Sequence, residues 1–442
     1  MTTAAFRTAP AAGLLLGFGL LLATAGRAVA QQSTVTLEQA IKLAQQVQPS
    51  VVQAQTTVRS AGAQIRTAKG AFLPNLNATS SYGPSYSAGP ARTNPVTGEL
   101  VSGDSKVTSV STGLSSSIDL FTGFRRGSDL KSAHATEDAA FAGLVDAKFQ
   151  IALTTTQTFL SALSDRQLIS VREAAVQRAE EQLKIAVAKL HAGTATRSDS
   201  LTSLVTLGTA QLQLIQAETD LATAEAGLGQ LTGLGGRVAA VDDSAFYRML
   251  APLDTLELAQ EAEAHSPRVQ NSDALAKAAE ASYSSSKAAY WPTLRLSANT
   301  TWNGSSTSDY QLFNQRQLNL SLNWPLFDRF VREQTIVTRG TALDVANANA
   351  NDARRQVRAA LISQLAALRA AALRIDISGN SVQAATENLR VQRERYRLGA
   401  ATIVDVLVAQ ESLNQAEVDV VNARFDYLRA KAQIEALIGR SL

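Results

Sequence analysis

The chain has 442 residues, with 41 basic and 38 acidic side chains and no cysteine. The absence of cysteine excludes disulfides, thiolate metal sites, cysteine nucleophiles and a lipid-modified N-terminal cysteine. The net charge of +3 falls to +1 once the first 30 residues, with two arginines and no acid, are set aside, so composition does not favour a nucleic-acid partner.

The first predicted element is a signal peptide over residues 1–30. Arg7 precedes an apolar run from Ala11 to Ala25, and Ala28-Val29-Ala30 has the small-x-small pattern that signal peptidase recognises. The run is shorter than the ~20 apolar residues that a membrane-spanning helix needs. We therefore expect cleavage before Gln31 and export of the remaining chain, which contains no comparable apolar run.

The remaining sequence is an internal duplication. Leu120 to Arg126 (LFTGFRR) aligns with Leu326 to Arg332 (LFDRFVR) at an offset of 206, and the same offset aligns Gly193 with Gly399. Self-similarity over this distance predicts two copies of one structural unit. The assigned ranges are 31–235 for the first repeat, 236–254 for a linker at the equatorial region, and 255–442 for the second repeat.

Each repeat is predicted to begin with a helix and to continue into two strands with alternating apolar and polar side chains. The strands are expected at about 73–86, 107–120, 293–303 and 315–325. One apolar face opposite a face of asparagine, serine and threonine is typical of a barrel with lipid outside and water inside, although a soluble pair of hairpins would give the same alternation. Four strands cannot close a barrel, and lipid does not tolerate an open edge, so several chains must contribute to one barrel.

Aromatic residues lie near the ends of these strands. Such residues form a girdle at each membrane interface of outer-membrane barrels. The girdle candidates are Trp291, Trp302, Trp324 and Tyr82.

Two long helices without proline are predicted over about 125–191 and 329–397, each about 100 Å if continuous. Turns over 192–198 and 398–404 form the tips, after which the chain returns in a second helix. Apolar residues spaced alternately by three and four, with alanine at every second position, predict coiled-coil packing. The seam of the last helix is Val406, Ala409, Leu413, Ala416, Val420, Ala423, Tyr427, Ala430, Ile434 and Leu437. The first copy has matching seams at Val176, Ala179, Leu183, Ala186 and Leu190, and at Leu207, Ala210, Leu214, Ala217, Leu221, Ala224, Leu228 and Leu231.

The order helix, hairpin, long helix, glycine turn and helix, present twice, resembles the TolC family of outer-membrane efflux and secretion proteins. The most specific segment runs from Tyr396 to Leu407 (YRLGAATIVDVL), and the resemblance covers Thr36 to Leu442. It implies a mainly α-helical homotrimer with a β-barrel segment: a 12-stranded barrel in the outer membrane, continued by a 12-helix coiled-coil tunnel in the periplasm. The implied function is a passive exit duct of a tripartite drug efflux or type I secretion system. The implied partners are a periplasmic adaptor protein and an inner-membrane pump, proton-driven or of the ABC type.

The resemblance also implies a docking surface for the adaptor at the tips. Its candidate residues are Gly193, Gly399, Leu190 and Leu398. Either glycine would equally supply the positive φ that a plain helix reversal needs.

For the periplasmic gate, the resemblance implies that three copies of Asp405 form a cation-selective ring and that Tyr396 hydrogen-bonds to Asp199. Acids near a helix N-terminus are also stabilised by the helix dipole, which is the simpler explanation of both aspartates. Val408 and Ala401 replace an acid and an arginine of some family members, so a weaker gate is expected, held mainly by the Tyr396 bond.

Two other classes of function fit the sequence less well. A structural coiled-coil or adhesin-like envelope protein without a transport role would explain the heptads but not the four alternating strands. An enzyme is not expected, since His134, His191 and His265 are scattered and no nucleophile or phosphate-binding motif is present. The sequence therefore predicts no catalytic residue, metal or cofactor.

Overall fold

The computed structural model describes residues 33–101, 103–243, 246 and 255–442, so the predicted signal peptide lies outside the described residues. The helices are α1 (Leu37–Val47), α2 (Pro49–Gly70), α3 (Arg125–His191), α4 (Arg197–Thr232), α5 (Thr255–His265), α6 (Pro267–Ser286), α7 (Val331–Arg397) and α8 (Ile403–Ile438). The strands are β1 (Ser33–Val35), β2 (Asn75–Ser87), β3 (Arg92–Thr93), β4 (Leu100–Val101), β5 (Ser105–Phe121), β6 (Val238–Ala240), β7 (Thr293–Ser305) and β8 (Phe313–Asn323). Within these ranges, none of the helices combines the length and apolarity required to cross a membrane.

The helix starts follow from local sequence. Thr36 caps α1, since its hydroxyl accepts from the Gln39 amide at 3.4 Å and the Gln39 side chain accepts from the Thr36 amide at 3.2 Å. Pro49 and Pro267 occupy the first turns of α2 and α6, where the missing amide proton removes no helical hydrogen bond.

The four longest helices form a wall two repeats wide. Helix α3 packs against α4 and against α8, and α8 packs in turn against α7, so the order across the wall is α4, α3, α8, α7. Every residue of the three predicted seams is buried or half-buried. Helix α8 also buries a second face, including Phe425, because it contacts α3 as well as α7.

The main apolar core lies midway along the wall, in the equatorial region. Phe159 of α3 and Phe425 of α8 are fully buried there, and the short helices α1 and α5 cover the outside. Strands β1 and β6 pair in parallel, so the range predicted as a linker contains a strand. Glu225, only 1% exposed, is neutralised by Arg166 at 3.1 Å and by Arg237 at 3.0 Å.

A separate antiparallel sheet extends from one end of the wall in the order β2, β5, β7, β8. The two predicted hairpins therefore lie side by side, with β2 and β8 as its edge strands. The loop between β2 and β5 carries a short hairpin of its own, formed by β3 and β4. All four long strands connect to helices at the same end of the sheet, so the hairpin loops lie at the opposite end.

Candidate functional site

The two faces of the sheet differ in polarity, as the register shows. One row across the four strands is Leu76, Ser116, Ala298 and Leu318, and the adjacent row is Asn75, Ser117, Ser297 and Asn319. The apolar face is exposed in this chain, with Leu318 and Leu320 exposed by 73% and 60%. Water does not favour such a surface over a whole sheet, whereas lipid does.

The polar face carries an ion pair and a network of side-chain hydrogen bonds. Arg295 donates from Nε to Asp119 at 2.6 Å, and the Ser111 hydroxyl donates to the Asn303 side chain at 2.7 Å. Side chains of this kind line the water-filled interior of a transmembrane barrel.

The repeated motif LFxxFxR forms the junction between sheet and long helices. Arg126 donates to the backbone oxygens of Ala71 and Leu120 at 3.3 and 3.2 Å, and Arg332 donates to those of Pro325 and Leu326 at 2.8 and 3.4 Å. In each copy the two phenylalanines make an edge-to-face pair, with ring centroids 5.4 Å and 5.7 Å apart. The arginines thus satisfy carbonyl groups where the chain leaves the sheet.

The girdle candidates lie at two levels. Trp291 and Trp324 flank the sheet at its helix end, where Trp324 donates to the Tyr290 backbone oxygen at 3.3 Å. Trp302 and Tyr82 lie near the loop end, on the apolar face. The two levels are about 36 Å apart along a strand at ~3.3 Å per residue, and a tilt of ~40° reduces this to a height of about 28 Å, close to the ~25 Å apolar band of an outer-membrane barrel.

Sequence reasoning missed the phenylalanines at the helix-end level. Phe124, Phe327 and Phe330 are each at least 67% exposed, and Phe124 packs edge-to-face on Trp291 with centroids 5.8 Å apart. Their recurrence in both copies of the motif was the available signal.

Both tips have the same backbone geometry. Gly193 and Gly399 have φ of +72° and +78°, and their amides donate to Leu190 and Tyr396 oxygens at 3.0 and 3.1 Å. A Cβ at either glycine would meet no atom within 4 Å. Glycine is therefore favoured here by the positive φ of the backbone and not by a lack of space for a side chain. Leu398 is 74% exposed beside its glycine, whereas Leu190 is half-buried.

The two gate aspartates close identical capping boxes. The Asp405 carboxylate accepts from the Thr402 amide at 2.8 Å and hydroxyl at 2.7 Å, and the Asp199 carboxylate accepts from the Thr196 amide at 3.2 Å and hydroxyl at 2.9 Å. The hydrogen bonds from Thr402 hold the pKa of Asp405 below its ordinary value. A capping role is therefore visible within one chain.

The predicted hydrogen bond between Tyr396 and Asp199 is wrong for this structure. The Tyr396 hydroxyl is buried and has no hydrogen-bond partner among the described residues. The Asp199 carboxylate accepts hydrogen bonds from Thr196 instead. Burial, and secondly the charge of Asp199, raise the pKa of Tyr396. The partner of the tyrosine is instead Lys189 of α3, whose ammonium lies 4.1 Å from the ring centroid and donates to the Tyr396 backbone oxygen.

Polar side chains continue along the contact between α3 and α8 above the tip. Arg178 binds both carboxylate oxygens of Glu417, at 3.1 and 2.6 Å, and the Asn414 side chain at 2.8 Å. One turn closer to the tip, Gln182 and Gln410 are 1% and 2% exposed, and each has a buried polar atom without a partner among the described residues. This part of the wall is held by fewer apolar contacts than the equatorial core.

The duplication gives a signal for this polar contact. At the offset of 206, Tyr396 and Gln410 align with Leu190 and Leu204, and Arg393 aligns with Val187. Arg393 is half-buried, and that burial lowers the pKa of its guanidinium. Polar residues that replace apolar ones in only one of two copies thus mark the contact between repeats.

A groove of about 1000 Å³ runs between α7 and α8 above the tip. Its α8 side carries Glu411, Asp419 and Asp426, and Arg374 lies on the α7 side. Val408 lies at the tip end of the same groove. The groove therefore presents three carboxylates against one cation.

A family model described as outer membrane efflux protein matches residues 40–234 and 258–440, which are most of both repeats. The outer membrane efflux protein BepC of Brucella suis is 24% identical over 387 residues, covering 87% of this chain and 80% of that protein. Protein CyaE of Bordetella pertussis is 27% identical over 423 residues, covering 92% of this chain and 85% of that protein.

Solved structures show the same fold. The outer membrane protein VceC of Vibrio cholerae superposes with a TM-score of 0.76 at 19% identity, covering 92% of this chain and 96% of that one. The MtrE outer membrane channel of Neisseria gonorrhoeae, solved in its open state, gives 0.73 at 18% identity, covering 92% and 89%.

Proposed function

This chain belongs to the outer membrane efflux protein family, and from that premise we infer that it is one third of a closed duct. It is an outer-membrane exit duct for efflux or secretion, with a barrel segment in the membrane and its long helices in the periplasm. The family consists of channel proteins that work with an adaptor and an inner-membrane pump.

The proposal rests on one observation: in a single chain, both the sheet and the helical wall have two free edges. Strands β2 and β8 have no outer neighbour in the described chain, and helices α4 and α7 are the outer helices of the wall. A lipid-facing sheet with an open edge leaves backbone polar groups unsatisfied, so β8 of one copy must pair with β2 of the next. Three copies then give twelve strands and twelve long helices, enough for a water-filled interior.

Exposed apolar stripes support the same closure of the helical wall. On α4 the stripe lies opposite the seam with α3, and on α7 exposed apolar residues recur along its length. The stripe of α4 is Leu201, Leu204, Val205, Leu212 and Ile215, and α7 exposes Val337, Val345, Ile362 and Leu373. The α4 stripe lies near the tips and the α7 residues lie farther towards the sheet, so side-by-side packing of neighbouring copies along the whole wall removes both from water.

We propose the tips as the docking surface for the adaptor. The open space around Gly193 and Gly399, and the exposure of Leu398, leave room for a partner helix to approach the backbone. The pump that this adaptor serves supplies the energy for transport.

The gate is proposed at the same end. Three copies of Asp405 form a ring that favours cations, and the carboxylates of the groove between α7 and α8 extend that preference upward. Lys189 and Tyr396 join the two repeats just behind the tips. Since the Tyr396 hydroxyl bonds to nothing in the described chain, this contact takes the place of the expected hydrogen bond to Asp199, and we expect the gate to open readily.

Closure is tested by cysteine cross-linking, which is clean here because the chain has no cysteine of its own. Asn77→Cys on β2 combined with Gln317→Cys or Asn319→Cys on β8 places thiols on the polar face of both edges. Oxidation should yield covalent trimers on non-reducing gels, while Asn77→Cys alone should yield none.

The unmodified protein should conduct in planar bilayers, and its gel mobility should change on heating; a non-conducting protein without that change would indicate a structural envelope protein instead.

A further inference from the structure

The apolar face of the sheet contains an arginine at the border of its apolar band. On β8 the outward positions are Asn314 and Arg316, followed by Leu318, Leu320 and Leu322. On β7 the change falls at the same row, where Thr300 pairs with Arg316. Arg316 therefore lies where the membrane core ends and the loop side begins.

The guanidinium of Arg316 is positioned but not neutralised. Its Nε donates to the Asn314 side-chain oxygen at 3.1 Å, and the Asn314 amide donates to the Thr300 hydroxyl at 3.1 Å. Its two terminal nitrogens have no hydrogen-bond partner, and Arg316 makes no ion pair, among the residues that the structure describes. Along the four strands this face presents Arg316 and Lys106 but no carboxylate, since Asp119 lies on the polar face with Arg295.

A hollow of about 620 Å³ lies beside this arginine on the same face. Small side chains of Ser116 and Ala298 form its floor, and Leu76, Leu114, Trp302 and Leu318 are among the residues that surround it. The hollow is apolar and wide enough for an acyl chain. A cation, an indole ring at the interface and an apolar hollow thus lie within a few residues on one lipid-facing surface.

We propose that Arg316 and this hollow bind a phosphorylated lipid of the outer leaflet, its phosphate on the guanidinium and one acyl chain against Ala298. At the border of the apolar band an arginine without a counter-ion can reach the phosphate level of the lipid, and the planar fork of the guanidinium matches two phosphate oxygens. The loop end of the sheet points away from the helices, so the lipid belongs to the leaflet remote from the periplasm. The inference rests on the proposed trimeric barrel, whose outer surface this face forms.

The test measures binding of purified trimers in detergent to lipid A carrying both phosphates, by native mass spectrometry. Arg316→Gln should weaken binding about tenfold, the range of a lost charge-assisted bidentate contact, and Arg316→Lys should lie between Arg316→Gln and the unmodified protein. Arg92→Gln, which removes an exposed arginine of β3 away from the hollow, should bind like the unmodified protein. Lipid A without phosphates should bind all four proteins equally and weakly, and inorganic phosphate alone should not compete.

Equal binding by Arg316→Gln and the unmodified protein would overturn the proposal, and so would an equal loss in Arg92→Gln, which would indicate general charge attraction. Ala298→Met, which fills the floor of the hollow, should weaken binding of both lipids; unchanged binding would remove the hollow from the site. Heat-dependent gel mobility of each preparation reports the trimer separately, so a failure of the barrel is distinguished from a failure of the lipid site.

Discussion

Gly123 and Arg329 occupy the same place in the two copies of the junction motif, and both have positive φ, +62° and +59°. The surroundings differ: a Cβ at Gly123 would lie 2.3 Å from the Trp291 Cβ. Gly123→Ala should therefore reduce the yield of SDS-resistant trimers severely, since neither backbone nor indole can move without leaving the junction. Arg329→Gly relieves a left-handed residue and should stabilise the protein by about 1 kcal/mol, measured as a higher melting temperature. If both variants formed trimers with the melting temperature of the unmodified protein, the φ value at this position would not limit either junction.

At Asp405, two roles can be separated by substitution. Asp405→Ala removes both the capping carboxylate and the proposed ring charge, whereas Thr402→Ala removes the cap and leaves the charge. We expect lower cation selectivity in planar bilayers for Asp405→Ala and unchanged selectivity for Thr402→Ala. Loss of selectivity in both variants would assign the effect to the helix start.

The same carboxylate sets a pH dependence. Because Thr402 holds the pKa of Asp405 below its ordinary value, the charged form is the one favoured by the fold. Its contribution to the cap is therefore complete above the unfolded-state pKa of ~3.9 and is lost as pH falls through the lowered value. Cation selectivity should therefore persist through the ordinary titration range of an aspartate and decline only at lower pH, and a decline above that range would contradict the capping geometry.

Between helices, the contact of Lys189 with Tyr396 joins α3 to α7 behind the tips. Tyr396→Phe keeps the ring under the ammonium and removes only a hydroxyl that has no partner in the described chain, so single-channel conductance should stay near the wild-type value. Tyr396→Ala and Lys189→Met each remove the contact and should raise the conductance. An increase in Tyr396→Phe would restore the hydrogen bond to Asp199 as the link that holds the tip.

The helix reversal at each tip allows docking to be separated from folding. Gly399→Asn tolerates the positive φ with a small side chain, while Gly399→Trp adds bulk into open space. Both variants should form trimers, and only Gly399→Trp should lose export and adaptor cross-linking, with Gly193 behaving alike. Normal export by the tryptophan variant would exclude this turn from the docking surface.

For the whole molecule, the contacts that decide assembly are those between copies of the chain. Val205 is 69% exposed in the apolar stripe of α4, so Val205→Glu should not disturb the fold of one chain. It should prevent the packing of α7 from the next copy and yield monomers in place of SDS-resistant trimers. Val205→Leu, which keeps an apolar side chain at the same exposed position, should assemble normally. Trimers of Val205→Glu with normal heat stability would place the contact between copies elsewhere.

The sequence by itself determined the fold class and the function as an outer-membrane exit duct, which the family match confirms. The reason is that each signal was local: heptads need only neighbours three or four residues away, strand alternation needs only two, and the duplication doubled every signal. The φ of Gly193 and Gly399 belongs to the same group, since a tight reversal requires it wherever the helices pack.

Only the tertiary structure decided which side chains meet across the repeats. Tyr396 contacts Lys189 instead of bonding to Asp199, whose carboxylate binds back to Thr196 in the capping box that begins three residues after Gly193. The ion pair of Arg178 with Glu417 joins residues more than two hundred positions apart, and no local period records such a pairing. The period of two already puts Arg316 on the same face as Leu318, but only the tertiary structure shows that the neighbouring strands bring no carboxylate to it on that face.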